Sequence, residues 1–120
     1  MATQVMDTAQ VLSHHLNALG DGKLDEVLDD YNEDSVVVTP NGTIKGLPGI
    51  RALFQGFLSG LFEPGTYDLT MDTRLVEGEV ALIVWRAKCA SADIVLGTDT
   101  FIVRGGKIVA QTYAAKVEPR

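Results

Sequence analysis

From Tyr67 to the C-terminus the chain carries four long β-type runs with little between them but turn residues. The first, Tyr67 to Val76, alternates cleanly. Tyr67, Leu69, Met71, Thr73 and Leu75 share one face, and Asp68, Thr70, Asp72 and Arg74 share the other. Gly78 turns the chain. In Val80 to Cys89 the positions Ala81, Ile83, Trp85, Ala87 and Cys89 lie together, opposite Arg86 and Lys88. Asp93 to Arg104, a Gly105-Gly106 turn and Lys107 to Lys116 complete the series. Strands joined by turns this short pair antiparallel, so these runs predict a meander. One face of such a sheet must be covered, and the cover has to come from the N-terminal half.

That half is helical. Val5, Ala9, Leu12, Leu16 and Leu19 recur at helical spacing, and "GDG" at Gly20 to Gly22 stops the helix. A short second helix places Leu24, Val27, Leu28 and Tyr31 on one face, with Asp21 as its N-cap. Ser35 to Thr39 reads as a strand bounded by Pro40, and Asn41-Gly42 signals a hairpin. The third helix runs from Gly46 to Phe62. Pro48 lies in its first turn, and Ile50, Leu53, Phe54, Phe57, Leu58 and Leu61 form an apolar face. The expected architecture is α+β in a single domain over residues 1–120: one curved sheet with three helices on its concave side. With 46% hydrophobic residues the chain can bury a full core.

Charge and cysteine content exclude several function classes. The net charge is −6 and the Lys and Arg residues are scattered, so nothing offers a footprint for nucleic acid or for an anionic membrane surface. No apolar run reaches the length of a membrane span. Cys89 is the only cysteine, which removes internal disulfides and Cys/His zinc clusters. "MATQVMDTAQ" lacks the basic-then-apolar pattern of an export signal, so a cytoplasmic location is expected, and the "NGT" at Asn41 reads as a turn. Without a phosphate loop, a dinucleotide fingerprint or a metal-ligand set, neither cofactor nor metal is expected.

Two places in the chain carry chemistry. Asp99 interrupts the apolar run "LGTDTFIV", sharing a strand face with Val95, Gly97, Phe101 and Val103; the other face carries Ile94, Leu96, Thr98, Thr100 and Ile102. Composition leaves open which face is inward. On the first helix His14 falls opposite the apolar stripe and reads as solvated, whereas His15 falls on its flank, where it could look into a cavity.

The segments "ALGDGKLDEVLDDYNEDSVVV", "GTIKGLPGIRALF" and "GTDTFIVRGGKIVAQTYAAKVE" resemble the nuclear transport factor 2-like superfamily, which includes ketosteroid isomerases and SnoaL-like polyketide cyclases. The resemblance spans about Val5 to Val117. It implies a cone-shaped half-barrel, a mixed but mainly antiparallel sheet, a deep pocket between sheet and helices, and homodimers formed through the outer sheet face. The apolar outward positions Val80, Leu82 and Val84 fit such a dimer.

The resemblance also assigns roles. Asp99 aligns with the pocket aspartic acid of the isomerases, a carboxylic acid kept protonated to donate a hydrogen bond. His15 aligns with their oxyanion-hole tyrosine. Their catalytic base aligns with Thr39, which cannot act as a carboxylate base. A steroid isomerase is therefore disfavoured. The function expected is a cofactor-free acid–base reaction, of isomerase or cyclase type, on a small apolar molecule, with Asp99 and His15 catalytic. Tyr31, Phe54, Phe57, Leu58, Leu61, Trp85, Phe101, Gln111 and Tyr113 are the candidate ligand contacts. The alternative is a non-catalytic ligand-binding or dimeric interaction module.

Overall fold

The elements in chain order are α1 (Thr8–Gly20), α2 (Leu24–Leu28), β1 (Tyr31–Thr39), β2 (Gly42–Lys45), α3 (Gly46–Leu58), β3 (Asp68–Glu77), β4 (Val80–Lys88), β5 (Ala92–Arg104) and β6 (Lys107–Pro119). They come from a computed structural model that describes residues 5–120. Residues 1–4, the start of the stretch read above for an export signal, lie outside the described residues.

β3 to β6 pair antiparallel in sequence order, as their short turns require. β1 then adds to β6 in parallel and carries β2 with it, giving the order β2-β1-β6-β5-β4-β3 in one open mixed sheet. Bulges interrupt the ladders between Met71 and Thr73, between Trp85 and Ala87, between Ile94 and Leu96, and between Ile102 and Val103. Each adds local twist and bend, and together they curl the sheet. They also break the strict alternation read from the sequence. Ile94 was expected on the face opposite Asp99, but the bulge beside it turns it inward, and both residues are buried.

α1 opens on a capping box. The Asp7 carboxylate accepts from the Gln10 amide at 2.8 Å, and the Gln10 side chain accepts from the Asp7 amide at 2.9 Å. The buried face of α1 is Val11, Leu12, His15 and Ala18, with Leu16 and Leu19 at its margin. Val5 precedes the helix and is exposed, as is Ala9, so the expected stripe is rotated. Asp21 caps the C-terminus of α1 rather than the start of α2. Gly22 follows at φ +71°, where a β-carbon would also meet the Pro64 ring at 2.5 Å.

Two more boundaries differ from expectation. α2 ends at Leu28, so Tyr31 is the first residue of β1 instead of a helix-face residue. α3 ends at Leu58 and the chain unwinds through Ser59 and Gly60, so Leu61 and Phe62 lie on a turn. The core runs between the concave sheet face and the helices, with Leu12, Val27, Ile50, Ile94, Phe101 and Ile108 almost fully buried.

Candidate functional site

The inward face of β4, β5 and β6 builds one polar cluster. In register, Trp85 lies opposite Gly97, and Gln111 lies opposite Phe101. Asp99 stands between those two positions on β5, so Trp85 and Gln111 are its diagonal neighbours on either side. Both reach it. The Trp85 indole N–H donates to Asp99 Oδ1 at 2.8 Å, and Gln111 Nε2 donates to Oδ2 at 2.9 Å. Gly97 makes the first of these bonds possible. A β-carbon there would sit 2.3 Å from the indole, so only glycine lets the ring lie across the strand.

The Gln111 amide is oriented from its other end. Its Oε1 accepts from the Tyr31 hydroxyl, which turns Nε2 toward the carboxylate. The sequence Tyr31–Gln111–Asp99–Trp85 is thus a connected buried network. Asp99 is 7% exposed. Burial pushes its pKa up to about 6, against the opposing pull of the Trp85 and Gln111 hydrogen bonds. Burial also raises Tyr31 well above the usual phenol range, with the Asp99 charge adding to it, so its hydroxyl keeps its proton.

His15 enters from the helical side. Its ring is edge-on to Tyr31, Phe54 and Phe101, with centroids 5.3 to 5.9 Å away. Burial, helped by the neighbouring His14, drives its pKa down to about 4, so the imidazole is neutral. Its Nδ1 is buried and has no hydrogen-bond partner among the described residues. Such orphans are uncommon in folded proteins.

Asp99, His15 and Gln111 share a cavity of ≈ 60 Å³. Phe54, Phe57, Trp85, Phe101 and Tyr113 line it. Tyr31 is not on the cavity wall; it stands behind the lining residues Gln111, His15 and Phe54. Leu58, the last residue of α3, and Leu61, in the turn that follows it, are not on the cavity wall. The remaining wall includes Phe62, Tyr67, Leu69 and Met71. Tyr67, Leu69 and Met71 were visible as one face of the β3 alternation. Phe62 was concealed by its assignment to the helix end; it packs edge-on against Trp85 at 5.7 Å and Tyr67 at 5.3 Å.

Thr39 is absent from the cavity wall. Its hydroxyl is engaged in the β1–β2 hairpin, donating to the Gly42 carbonyl at 3.0 Å and accepting from the Asn41 amide at 3.1 Å. His14 is not simply solvated. Its Nδ1 lies 2.9 and 2.8 Å from the two oxygens of Asp30, a carboxylate 1% exposed that sequence reading did not single out. The Asp30 hydrogen bond raises the His14 pKa; burial raises that of Asp30. No group of three or more metal-binding side chains gathers among the described residues. No helix there is long and apolar enough to cross a membrane.

The fold is shared with many solved structures. One is an NTF2-like protein of unknown function from Cytophaga hutchinsonii, 14% identical over 97% of this chain and 95% of that one, with a TM-score of 0.75. A candidate ketosteroid isomerase from Kribbella flavida is 18% identical over 91% and 77%, with a TM-score of 0.75. A candidate polyketide cyclase from Sinorhizobium meliloti is 16% identical over 86% and 92%, with a TM-score of 0.72. Identities this low establish the fold alone. No curated protein matches the chain. The SnoaL-like domain model matches residues 12–111, from within α1 to Gln111 on β6. With that match, the chain belongs to the SnoaL-like domain family, and its fold is that of the NTF2-like structures.

Proposed function

We propose that the protein catalyses a cofactor-free proton transfer next to a carbonyl on a small, largely apolar molecule. One observation carries this reading: a single carboxyl group, Asp99, stands on the wall of an aromatic cavity with its pKa lifted to about 6. A group so tuned is ionised near neutrality yet basic enough to accept a proton. Its carboxylate takes the proton from the carbon beside the carbonyl. The neutral His15 imidazole donates N–H to the oxygen as negative charge builds there, and Asp99 then returns the proton to another position. Trp85 and Gln111 fix the carboxylate, and Tyr31 is a positioning residue acting through Gln111. The test is turnover of a panel of small cyclic enones and β-diketones. Asp99→Asn should abolish turnover while leaving ligand binding in place; equal turnover by mutant and wild type would refute the reading.

A non-catalytic ligand-binding module is the second reading. It is favoured by Thr39, which leaves the isomerase base position without a carboxylate and off the cavity wall. Its mark would be saturable binding with no turnover across the same panel.

The reading includes a homodimer. Leu75 and Leu82 pair across β3 and β4 on the convex face, and Leu75, Val80 and Leu96 are 63%, 42% and 50% exposed. An apolar sheet face of this kind is suited to a second copy of itself. The buried, unpaired thiol of Cys89 supports a reducing, cytoplasmic setting.

A further inference from the structure

The cavity's polar groups are unequal in charge. Among the described residues Asp99 receives side-chain hydrogen bonds only from neutral donors, the Trp85 indole and the Gln111 amide. No Lys or Arg lines the cavity among the described residues. A buried carboxylate without a cation is electrostatically incomplete. Beside it the rings of Trp85 and Tyr113 lie nearly parallel, 18° apart, with Phe57 and Phe62 leaning over them. Aromatic faces next to a carboxylate form the surroundings that organic ammonium ions prefer. His15 lines the same cavity and, as a neutral ring, sets no competing cation beside Asp99.

We propose that the cavity selects small lipophilic amines, bound as their ammonium ions between the Asp99 carboxylate and the aromatic walls. A cavity of ≈ 60 Å³ limits the buried part of the ligand to a few heavy atoms or a small ring, with larger groups reaching toward the half-exposed Leu69. Carboxylates and phosphates of the same shape are rejected, because they would set a like charge beside Asp99. This inference uses the same cavity as the proposed reaction but does not need Asp99 to act as a base.

Trp85 is the only tryptophan, so intrinsic fluorescence reports on this wall alone. The probes are cyclopentylamine, cyclopentanol and cyclopentanecarboxylate, titrated into the full chain at about pH 7.5. A charge-assisted bond in place of a neutral one should give the amine a Kd about tenfold below that of the alcohol, with no saturation by the carboxylate. In Asp99→Asn the advantage of amine over alcohol should disappear.

The wild type at about pH 5 provides the same comparison without a mutation. There Asp99 is mostly protonated, whereas His15 from α1 stays neutral and Tyr31 from β1 and Tyr113 from β6 stay protonated at both pH values. The amine's advantage should shrink about tenfold. Equal affinity for amine and alcohol at pH 7.5, saturation by the carboxylate, or an advantage that persists at pH 5 would overturn the proposal. Charge selectivity with no turnover refutes the catalytic reading alone; turnover without charge selectivity refutes this inference alone.

Discussion

His14 and His15 are consecutive on α1, yet one is held by a buried carboxylate and the other has a ring nitrogen with no partner. Their pKa values move in opposite directions, His14 up and His15 down to about 4. The helix turns about 100° per residue, which suffices to point one ring at Asp30 and the other into the aromatic cage.

The upward shift of His14 ties stability to pH above 6.5. Its contribution is complete below the unfolded value of 6.5 and is lost as pH rises through the higher folded value. Asp30, raised by burial from 3.8, also makes stability fall as pH rises, but over the range that begins at 3.8. His14→Gln should therefore lower the urea midpoint at pH 6 and lower it less at pH 9. A midpoint difference independent of pH would contradict the pairing.

His15 and Asp99 oppose each other in the acid range. The unfolded chain protonates His15 near 6.5 and the folded one only near 4, so His15 makes stability rise with pH between those values. Asp99 does the reverse between 3.8 and about 6. Each shift corresponds to about 3 kcal/mol, so the two nearly cancel. His15→Phe should leave a protein whose stability falls from pH 4 to 6, and Asp99→Asn one whose stability rises over that range. Denaturation midpoints at pH 4, 5 and 6 measure both slopes.

Gly97→Ala tests the seat of the indole. The added carbon would lie 2.3 Å from the Trp85 ring, so the ring must leave and its hydrogen bond to Asp99 must break. The expected loss is about 1–3 kcal/mol of stability, with a red shift in fluorescence as the indole meets water. Unchanged emission and stability would show that the ring is not held there.

The convex face has its own test. Leu75→Lys should convert a species of about twice 12.9 kDa to a monomer in sedimentation equilibrium, without changing the far-ultraviolet circular dichroism. A wild type that is monomeric at micromolar concentration would contradict the dimer.

Much of this was legible in the residues. The meander, the three helices and the hairpin follow from periodicity and turn chemistry, which are local. The inward turn of Asp99 was legible only through the family resemblance, not through the strand pattern. Alternation grouped Asp99 with Gly97 and Phe101 correctly, but could not say which face was covered. The bulge beside Ile94 broke the pattern that would have carried parity along the strand. Tyr31 was misassigned because four apolar residues at helical spacing continue one residue too far into β1. Phe62 and Asp30 were missed for a related reason: what each touches is decided by a turn and by a helix sixteen residues away, not by neighbours in sequence.

Asp99→Asn is also informative about packing. The carboxylate offers an acceptor to each of two donors; an amide offers one acceptor and a competing donor. One of the Trp85 and Gln111 donors should lose its bond, costing about 1–3 kcal/mol at pH 8. Offsetting this, the mutant no longer buries a charge, so the net change should be smaller than that loss.

The most direct measurement is the side-chain carboxyl ¹³C titration of Asp99 by NMR, assigned by comparison with Asp99→Asn. A midpoint near 6 is the value this structure predicts. A midpoint at or below the ordinary 3.8 would mean that the group is open to water or paired with a cation, and would contradict the account.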